Sequence, residues 1–208
     1  MPERDQILHR VRAALGQRAD DPPAAPPELL LDAPPMTLAQ RVNALLANFP
    51  GEARHVKSFY DARERVLRII DGAGAVASNA QILAEAGITA LPGVVSGFQN
   101  EAALRSACAT APFGITGASY ALAEPPALVM LASNSEARMV SLLPPVHIAV
   151  IRAEQILSGL DELFLTVPDP SVLASSMVLI GGPSRTGDIE MTLTLGVHGP
   201  RDLHLIVV

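Results

Sequence analysis

The sequence predicts an α/β fold: an open, mostly parallel sheet flanked by helices, with a helical extension at the N-terminus. Short β-branched segments alternate with helical ones after Gly51, the pattern of strands joined by covering helices. Hydrophobic residues make up 49% of the 208 positions and charged residues 17%, with a mean hydropathy of +0.31. That balance supports a buried core and lies outside the disordered class. No repeat recurs at a fixed period, so a solenoid is excluded.

Taken in order, Ile7, Leu8, Val11 and Leu15 fall at helical spacing, with Gly16 as a stop. So short a helix must bury its apolar face against the main body or against another chain, and the sequence leaves both open. The segment DDPPAAPPELLLDAPP holds six prolines and reads as an extended linker. Residues 1–36 are therefore set apart from an α/β domain at 37–208. Thr37 is placed to cap a helix carrying Leu38, Val42, Leu45, Leu46 and Phe49, which ends before Pro50 and Gly51. Beyond it, ARHVKSF, GAVAS, GITAL, PFGIT, ALVMLAS, PVHIAVI, SMVLIGG and LHLIVV read as strands. DARERVLRII, NAQILAEAG, NEAALRSACA and AEQILSGLDELF read as the helices between them.

Several function classes drop out on composition. The net charge is −6, Trp is absent, and Tyr and Phe number two and five. Neither a grip on a phosphate backbone nor a platform for stacking bases can be built from this. Cys108 is the only cysteine, so the chain makes no internal disulfide and holds no self-contained iron–sulfur cluster; electron transfer would need a partner. The N-terminus mixes Glu3, Asp5, Arg4, Arg10 and Arg12 without the apolar run of a signal peptide. No apolar stretch approaches the ~20 residues of a membrane helix. A cytoplasmic protein without membrane insertion is expected.

Gly72 and Gly74 in DGAGAV follow a helix and lead into a strand, the reverse of a dinucleotide-binding turn. The richest stretch is SMVLIGGPSRTGDIE, residues 176–190, read as strand, loop and helix start. Gly181, Gly182 and Gly187 would let backbone amides approach a ligand, Ser184 and Thr186 add hydroxyls, and Arg185 offers a planar fork for a carboxylate or phosphate. The plainer alternative is a tight turn with Asp188 capping the helix and Arg185 in an ordinary ion pair. No Walker lysine is present, so nucleotide hydrolysis is not implied.

A second candidate is FGITGASYALAE, where a strand runs into Thr116, Gly117 and Ser119 and ends near Glu124. Gly117 to Ala121 approximates a nucleophile elbow, and Asp188 followed by His198 supplies the order of a hydrolase triad. Ala121 stands where a glycine is wanted and no oxyanion loop precedes it, so a Ser119 hydrolase is the weakest reading, and Ser119 can equally cap a turn. None of His9, His55, His147, His198 and His204 forms a metal pair, and no metal site is expected. His147 lies in an apolar run and reads as a core histidine. His198, between glycines and near Arg201, sits in a loop able to meet the Arg185 loop. Arg138 is a further cation at an element boundary, with a surface ion pair as its plain explanation.

GITGASYALAE, an arginine before SLLPPVHIAVI, GGPSRTGDIE and LGVHGPRDLHLIVV resemble, in the same order, the lactate-utilisation protein C family, or LUD domain. The resemblance runs from about residue 37 to the C-terminus. It implies a fold similar to the sugar-phosphate isomerase, CoA-transferase and formyltetrahydrofolate cyclo-ligase group, with a ligand site built from loops at strand ends. It also implies a part in oxidising L-lactate to pyruvate beside partner proteins that carry iron–sulfur clusters, this chain itself bringing no cofactor. Thr116, Gly117, Glu124, Arg138, His147, Ser184, Arg185, Asp188, Glu190 and His198 occupy signature positions, and no catalytic role attaches to any of them. Ligand contacts are expected from Thr116, Gly117, Glu124, Arg138, Gly182, Ser184, Arg185, Thr186, Asp188 and His198. One departure stands out: Pro125 and Pro126 replace a threonine–glycine pair, which stiffens that loop and removes amide donors. The leading expectation is an accessory subunit of L-lactate oxidation that binds a small anion and docks on partners, with a second copy reached through the N-terminal arm as a further partner. The rival is a stand-alone enzyme or binding protein for a phosphorylated or carboxylated metabolite or a nucleotide.

Overall fold

The computed structural model describes residues 3–15, 36–167, 169, 174–187 and 193–208. The chain divides into two compact units, Met1–Leu30 and Leu31–Val208. The first holds helix α1 (Glu3–Leu15), whose last turn carries Arg12, a cation at the negative end of the helix dipole.

The second unit opens with α2 (Leu38–Asn48). Its start is fixed by a capping box: Gln40 N donates to Thr37 Oγ1 at 3.3 Å, and Thr37 N donates to Gln40 Oε1 at 2.8 Å. Then follow β1 (Glu52–His55), α3 (Phe59–Ile70), β2 (Ala75–Ala77), α4 (Gln81–Glu85), β3 (Val94–Val95), α5 (Glu101–Thr110) and β4 (Phe113–Thr116). Ser58 and Asn100 cap α3 and α5 through their side chains. The chain continues through β5 (Tyr120–Leu122), β6 (Ala127–Leu131), α6 (Arg138–Leu142), β7 (Val146–Ile151), a single 3-10 turn (Ala153–Gln155), β8 (Ile156–Leu157) and α7 (Leu160–Thr166). It closes with β9 (Met177–Ile180), β10 (Arg185–Gly187), β11 (Leu193–Leu195) and β12 (Asp202–Val207).

The main sheet has the order β1-β12-β7-β4-β2-β3, and every pairing in it is parallel. On one face Ile115, Ile148, Val150 and Ile206 pack against Ala62, Val66 and Ile70 of α3 and Leu83 of α4. On the other, Ala149, Ile151, Leu203 and Leu205 meet Val42, Leu45 and Phe49 of α2 and Ala121, Leu128 and Met130 of a second sheet. Burial on both faces explains the unbroken apolar run of β7. The second sheet, β8-β5-β6-β9, is mixed, and its far side buries Leu122, Val129 and Leu157 against Leu163 of α7. Helix α6 lies so close on β4 that a Cβ at Gly114 would stand 1.9 Å from the Val140 carbonyl oxygen.

The α/β architecture and its mostly parallel sheet are as the sequence predicts; three local expectations change. GITAL forms turns, and the neighbouring strand is Val94–Val95. AEQILSGLDELF splits into a 3-10 turn, β8 and α7, because Ile156 and Leu157 pair with Ala121 and Leu122. The expected loop at Arg185–Gly187 is a strand that pairs antiparallel with Leu193–Leu195, while the helix start expected at Asp188 lies outside the described residues.

The direction of sheet growth reverses at β2. From β2 the chain steps outward to β3, crosses back through α5, and builds β4 and then β7 on the other side. The loops leaving the carboxyl ends of β2 and β4 therefore diverge, and a crevice opens where open parallel sheets bind ligands.

Candidate functional site at the switch point of the sheet

At this crevice β2 runs into Ser78 and Asn79, and β4 into Gly117, Ala118 and Ser119. The connection from β6 to α6 folds back over both: Asn79 N donates to the Ser135 carbonyl at 2.9 Å, and Gly117 N to Glu136 Oε1 at 2.8 Å. The result is a cleft of about 400 Å³ whose walls include Glu85, Gly117, Ser119, Glu136, Arg152 and Gln155. A volume of that order suits a small molecule. An adjoining cleft of about 360 Å³ is lined by Asn79, Asn100, Glu101 and Asn134 over Phe98 and Leu104.

Glu136 is the chemical centre of this arrangement. The Gly117 amide donates to its Oε1 at 2.8 Å. A Cβ at residue 117 would lie 2.7 Å from that oxygen and 3.0 Å from Ala80 Cβ, so only glycine lets the carboxyl come this near. Its Oε2 is closed off from solvent, and the Ser78 hydroxyl stands beside the carboxyl as a further donor. Burial pushes its pKa up from 4.5 to about 7, against the Ser78 hydroxyl and the Gly117 amide, which favour the charged form. Around it, Gln155 Nε2 ties down the loop by donating to the Ala118 and Ser119 carbonyls at 3.2 and 3.0 Å. Arg152 pairs with Glu85 and lies over the Phe59 ring, 4.9 Å from its centroid.

Behind the crevice Thr116 Oγ1 and His147 Nε2 share a buried hydrogen bond of 2.8 Å. Burial lowers the His147 pKa from 6.5 to about 4, so the imidazole is neutral near pH 7. Its Nδ1 has no partner among the described residues.

Other residues singled out by the sequence lie elsewhere. The loops of Ser184 and His198 do meet: Ser184 N donates to the Pro200 carbonyl at 2.8 Å, and His198 N to Ser184 Oγ at 3.1 Å. Arg185, His198 and Arg201 are exposed there, beside a cleft of about 510 Å³ that includes Leu142, Pro145, His198 and Arg201. This loop leads into β12 and so stands at the amino ends of the parallel strands. Across a strand as long as β7 that is roughly 20 Å from the Gly117 crevice at about 3.3 Å per residue. Ser119 and His198 are thus at opposite ends of the sheet. Ser119 also leads into strand β5 instead of a helix, and its Oγ accepts from Leu131 N at 3.3 Å. No nucleophile elbow forms, which removes the Ser119 hydrolase.

Glu124 is exposed in the β5–β6 turn, where its amide donates to the Ser158 carbonyl at 3.0 Å. Pro125 and Pro126 beside it line an apolar groove with Leu160 and Leu179. Arg138 begins α6, is exposed, and its carbonyl accepts from Ser141 Oγ at 3.1 Å. Gly182 has a φ of 148° and packs where a Cβ would be 3.0 Å from Pro50. Asp188 and Glu190 lie outside the described residues, as does the side chain of Thr186. Sequence reasoning did not single out Ser78, Glu136 or Arg152; the carboxylate in SNSEAR is unremarkable until the fold-back brings it to Gly117.

The LUD domain family model matches residues 39–208. The chain belongs to this family. A lactate utilization protein C of Halalkalibacterium halodurans is 42% identical over 102 residues, 47% of this chain and 44% of that protein. An uncharacterized protein of Neisseria meningitidis serogroup B is 34% identical over 99 residues, 46% of this chain and 41% of that protein. The aligned stretch thus spans less than half of each of these relatives. The crystal structure of a DUF162 family protein from Deinococcus radiodurans superposes with a TM-score of 0.62 at 21% identity, covering 84% of this chain and 99% of that one. That likeness bears on the fold. Among the described residues no helix is long and apolar enough to cross a membrane.

Proposed function

We propose that this LUD domain protein serves lactate utilisation, as an accessory component of L-lactate oxidation to pyruvate that binds a small carboxylate and docks on iron–sulfur partner proteins. The observation that carries this reading is the 42% identity with a protein named for lactate utilisation. The electron path is assigned to partners because a single cysteine, Cys108, buried on the inner side of α5, cannot ligate a cluster. The switch-point cleft is the favoured place for the ligand. A second place is the amino-end loop, where Ser184 holds the His198 amide beside the exposed Arg185 and Arg201.

The full chain, purified with and without co-expressed iron–sulfur neighbours, is to be assayed with L-lactate and an electron acceptor. Turnover only with the partners supports the accessory role; full turnover by the isolated chain, or no effect of adding it to the partners, overturns it. Calorimetry on Arg185→Ala separates the two places. A loss of about 1–3 kcal/mol assigns the anion to the amino-end loop, and unchanged affinity leaves it to the cleft.

A further inference from the structure

We infer that the 360 Å³ cleft adjoining the switch point binds an uncharged planar ring with carbonyl acceptors on more than one edge, the chemistry of a quinone. The inference goes beyond the lactate reading and does not rest on it, because it concerns a second cleft whose walls differ in chemistry from the first.

The walls are set by one residue. Asn79, just after β2, donates its backbone N–H to the Ser135 carbonyl at 2.9 Å, and its Oδ1 accepts from Gly97 N at 3.0 Å. The first bond ties down the connection from β6 to α6, the second the loop that leads into α5. Gly97 has a φ of 71°, a conformation that favours glycine, and the next residue, Phe98, lines the cleft. Both sides of the gap are thus organised before a ligand arrives.

The same bonds identify the atoms left for that ligand. A backbone N–H only donates, so the carboxamide atom it meets is the oxygen. Gly97 N fixes Oδ1 of Asn79 in this way, and Ala103 N fixes Oδ1 of Asn100 at 2.9 Å in the cap of α5. Each asparagine keeps its Nδ2 as a donor with no partner among the described residues. Asn134, on the β6–α6 connection, adds a third carboxamide to the lining. These groups stand on three different parts of the chain, so a ligand that satisfies them carries acceptors on more than one edge.

Charge and shape narrow the class. Glu101 is the charged side chain among the described lining residues, and it disfavours an anion; its pairing with Arg105, at 3.9 Å, runs along exposed α5. A carboxylate or phosphate would lose water here without meeting a cation, whereas a neutral carbonyl oxygen needs only the amide donors. The floor is apolar: half-buried Phe98, Leu104 and Met139 pack on buried Val76 and Val140. A phenyl ring beside a thioether suits a flat ring, through stacking and sulfur–aromatic contact.

The test is equilibrium dialysis of the full chain against duroquinone, whose fully methylated ring offers no position for a thiol to add. Durene has the same methylated ring without the carbonyls, benzoate supplies a charged ring, and uridine presents a base. Wild type is expected to bind duroquinone about tenfold or more tighter than any of the three. Asn100→Asp keeps the oxygen that caps α5 and replaces the Nδ2 donor by an anionic oxygen. It is expected to weaken duroquinone about tenfold and durene less than about twofold, and Asn79→Asp to do the same. Phe98→Leu should weaken both ring compounds alike. Durene binding as well as duroquinone, a preference for benzoate or uridine, or no binding of duroquinone overturns the inference. So does unchanged duroquinone affinity in Asn100→Asp, the variant that decides if Asn79→Asp fails to fold. None of these outcomes bears on turnover of L-lactate with the partners, so the two readings stand or fall separately.

Discussion

Replacing Glu136 by Gln should stabilise the folded protein at alkaline pH and leave it nearly unchanged in acid. The carboxyl titrates near 4.5 when unfolded and near 7 when folded, so the native state binds this proton more tightly. Stability from this group is fully present below about 4.5 and is lost as pH rises through 7. At 1.36 kcal/mol per unit the loss is on the order of 3 kcal/mol, an upper figure for a carboxyl at a cleft wall. Gln carries no charge and escapes it. His147 acts in the opposite sense: its pKa falls from 6.5 to about 4 on folding, so its contribution is lost as pH drops below 6.5. In the wild type the two slopes oppose each other between about 4.5 and 6.5 and give a shallow profile. The variant should expose the histidine slope, rising with pH to about 6.5 and then levelling. Urea unfolding of both proteins from about pH 4.5 to 8.5, with the midpoint shift read at constant m-value, isolates the Glu136 contribution as the difference between them. A difference that stays constant with pH, or a Gln variant less stable than wild type near pH 8, would refute the reasoning.

Two further outcomes follow from the same structure. Thr116→Val keeps the side-chain shape but leaves buried His147 Nε2 without its 2.8 Å partner, and should lower the urea-derived stability by about 1–3 kcal/mol; a change within about 0.5 kcal/mol would show that the pair contributes nothing. Deleting residues 1–35, which removes the stripe of Ile7, Leu8, Val11 and Leu15, should leave the melting temperature of the α/β domain nearly unchanged and weaken association with a partner or a second copy in sedimentation. Loss of folding would assign that helix to the core, and undiminished association would remove its interaction role.

The main sheet was legible because its inner strands are buried on both faces and the helices between them carry stripes: VHIAVI puts Ala149 and Ile151 in the cluster of α2 and Ile148 and Val150 in that of α3. The second sheet was hidden by a coincidence of spacing. Ile156, Leu157, Leu160 and Leu163 fit one helical face, yet the first two pair with Ala121 and Leu122, and Gly159, whose Cβ would stand 2.7 Å from the Glu124 carbonyl oxygen, breaks the run. At Leu193, Thr194 and Leu195 the period-2 alternation was the guide to the strand that pairs with Arg185–Gly187.

The site divides along a simpler rule. In a parallel sheet a residue just after a strand stands at the carboxyl edge and a residue just before one at the amino edge. Thr116 ends β4 and Gly117 follows it, whereas His198 precedes β12, so no arrangement of loops as short as these brings Ser119 to His198. The same rule would have gathered Ser78, Gly117 and Arg152, which follow β2, β4 and β7, into one crevice from the sequence once the strands were assigned. Glu136 escapes it, because it follows β6 of the other sheet and reaches the crevice only when residues 133–136 fold back onto Asn79 and Gly117. A carboxyl delivered in this way is held by the Gly117 amide and the Ser78 hydroxyl instead of a cation, and these neutral donors do not offset the burial that raises its pKa to about 7.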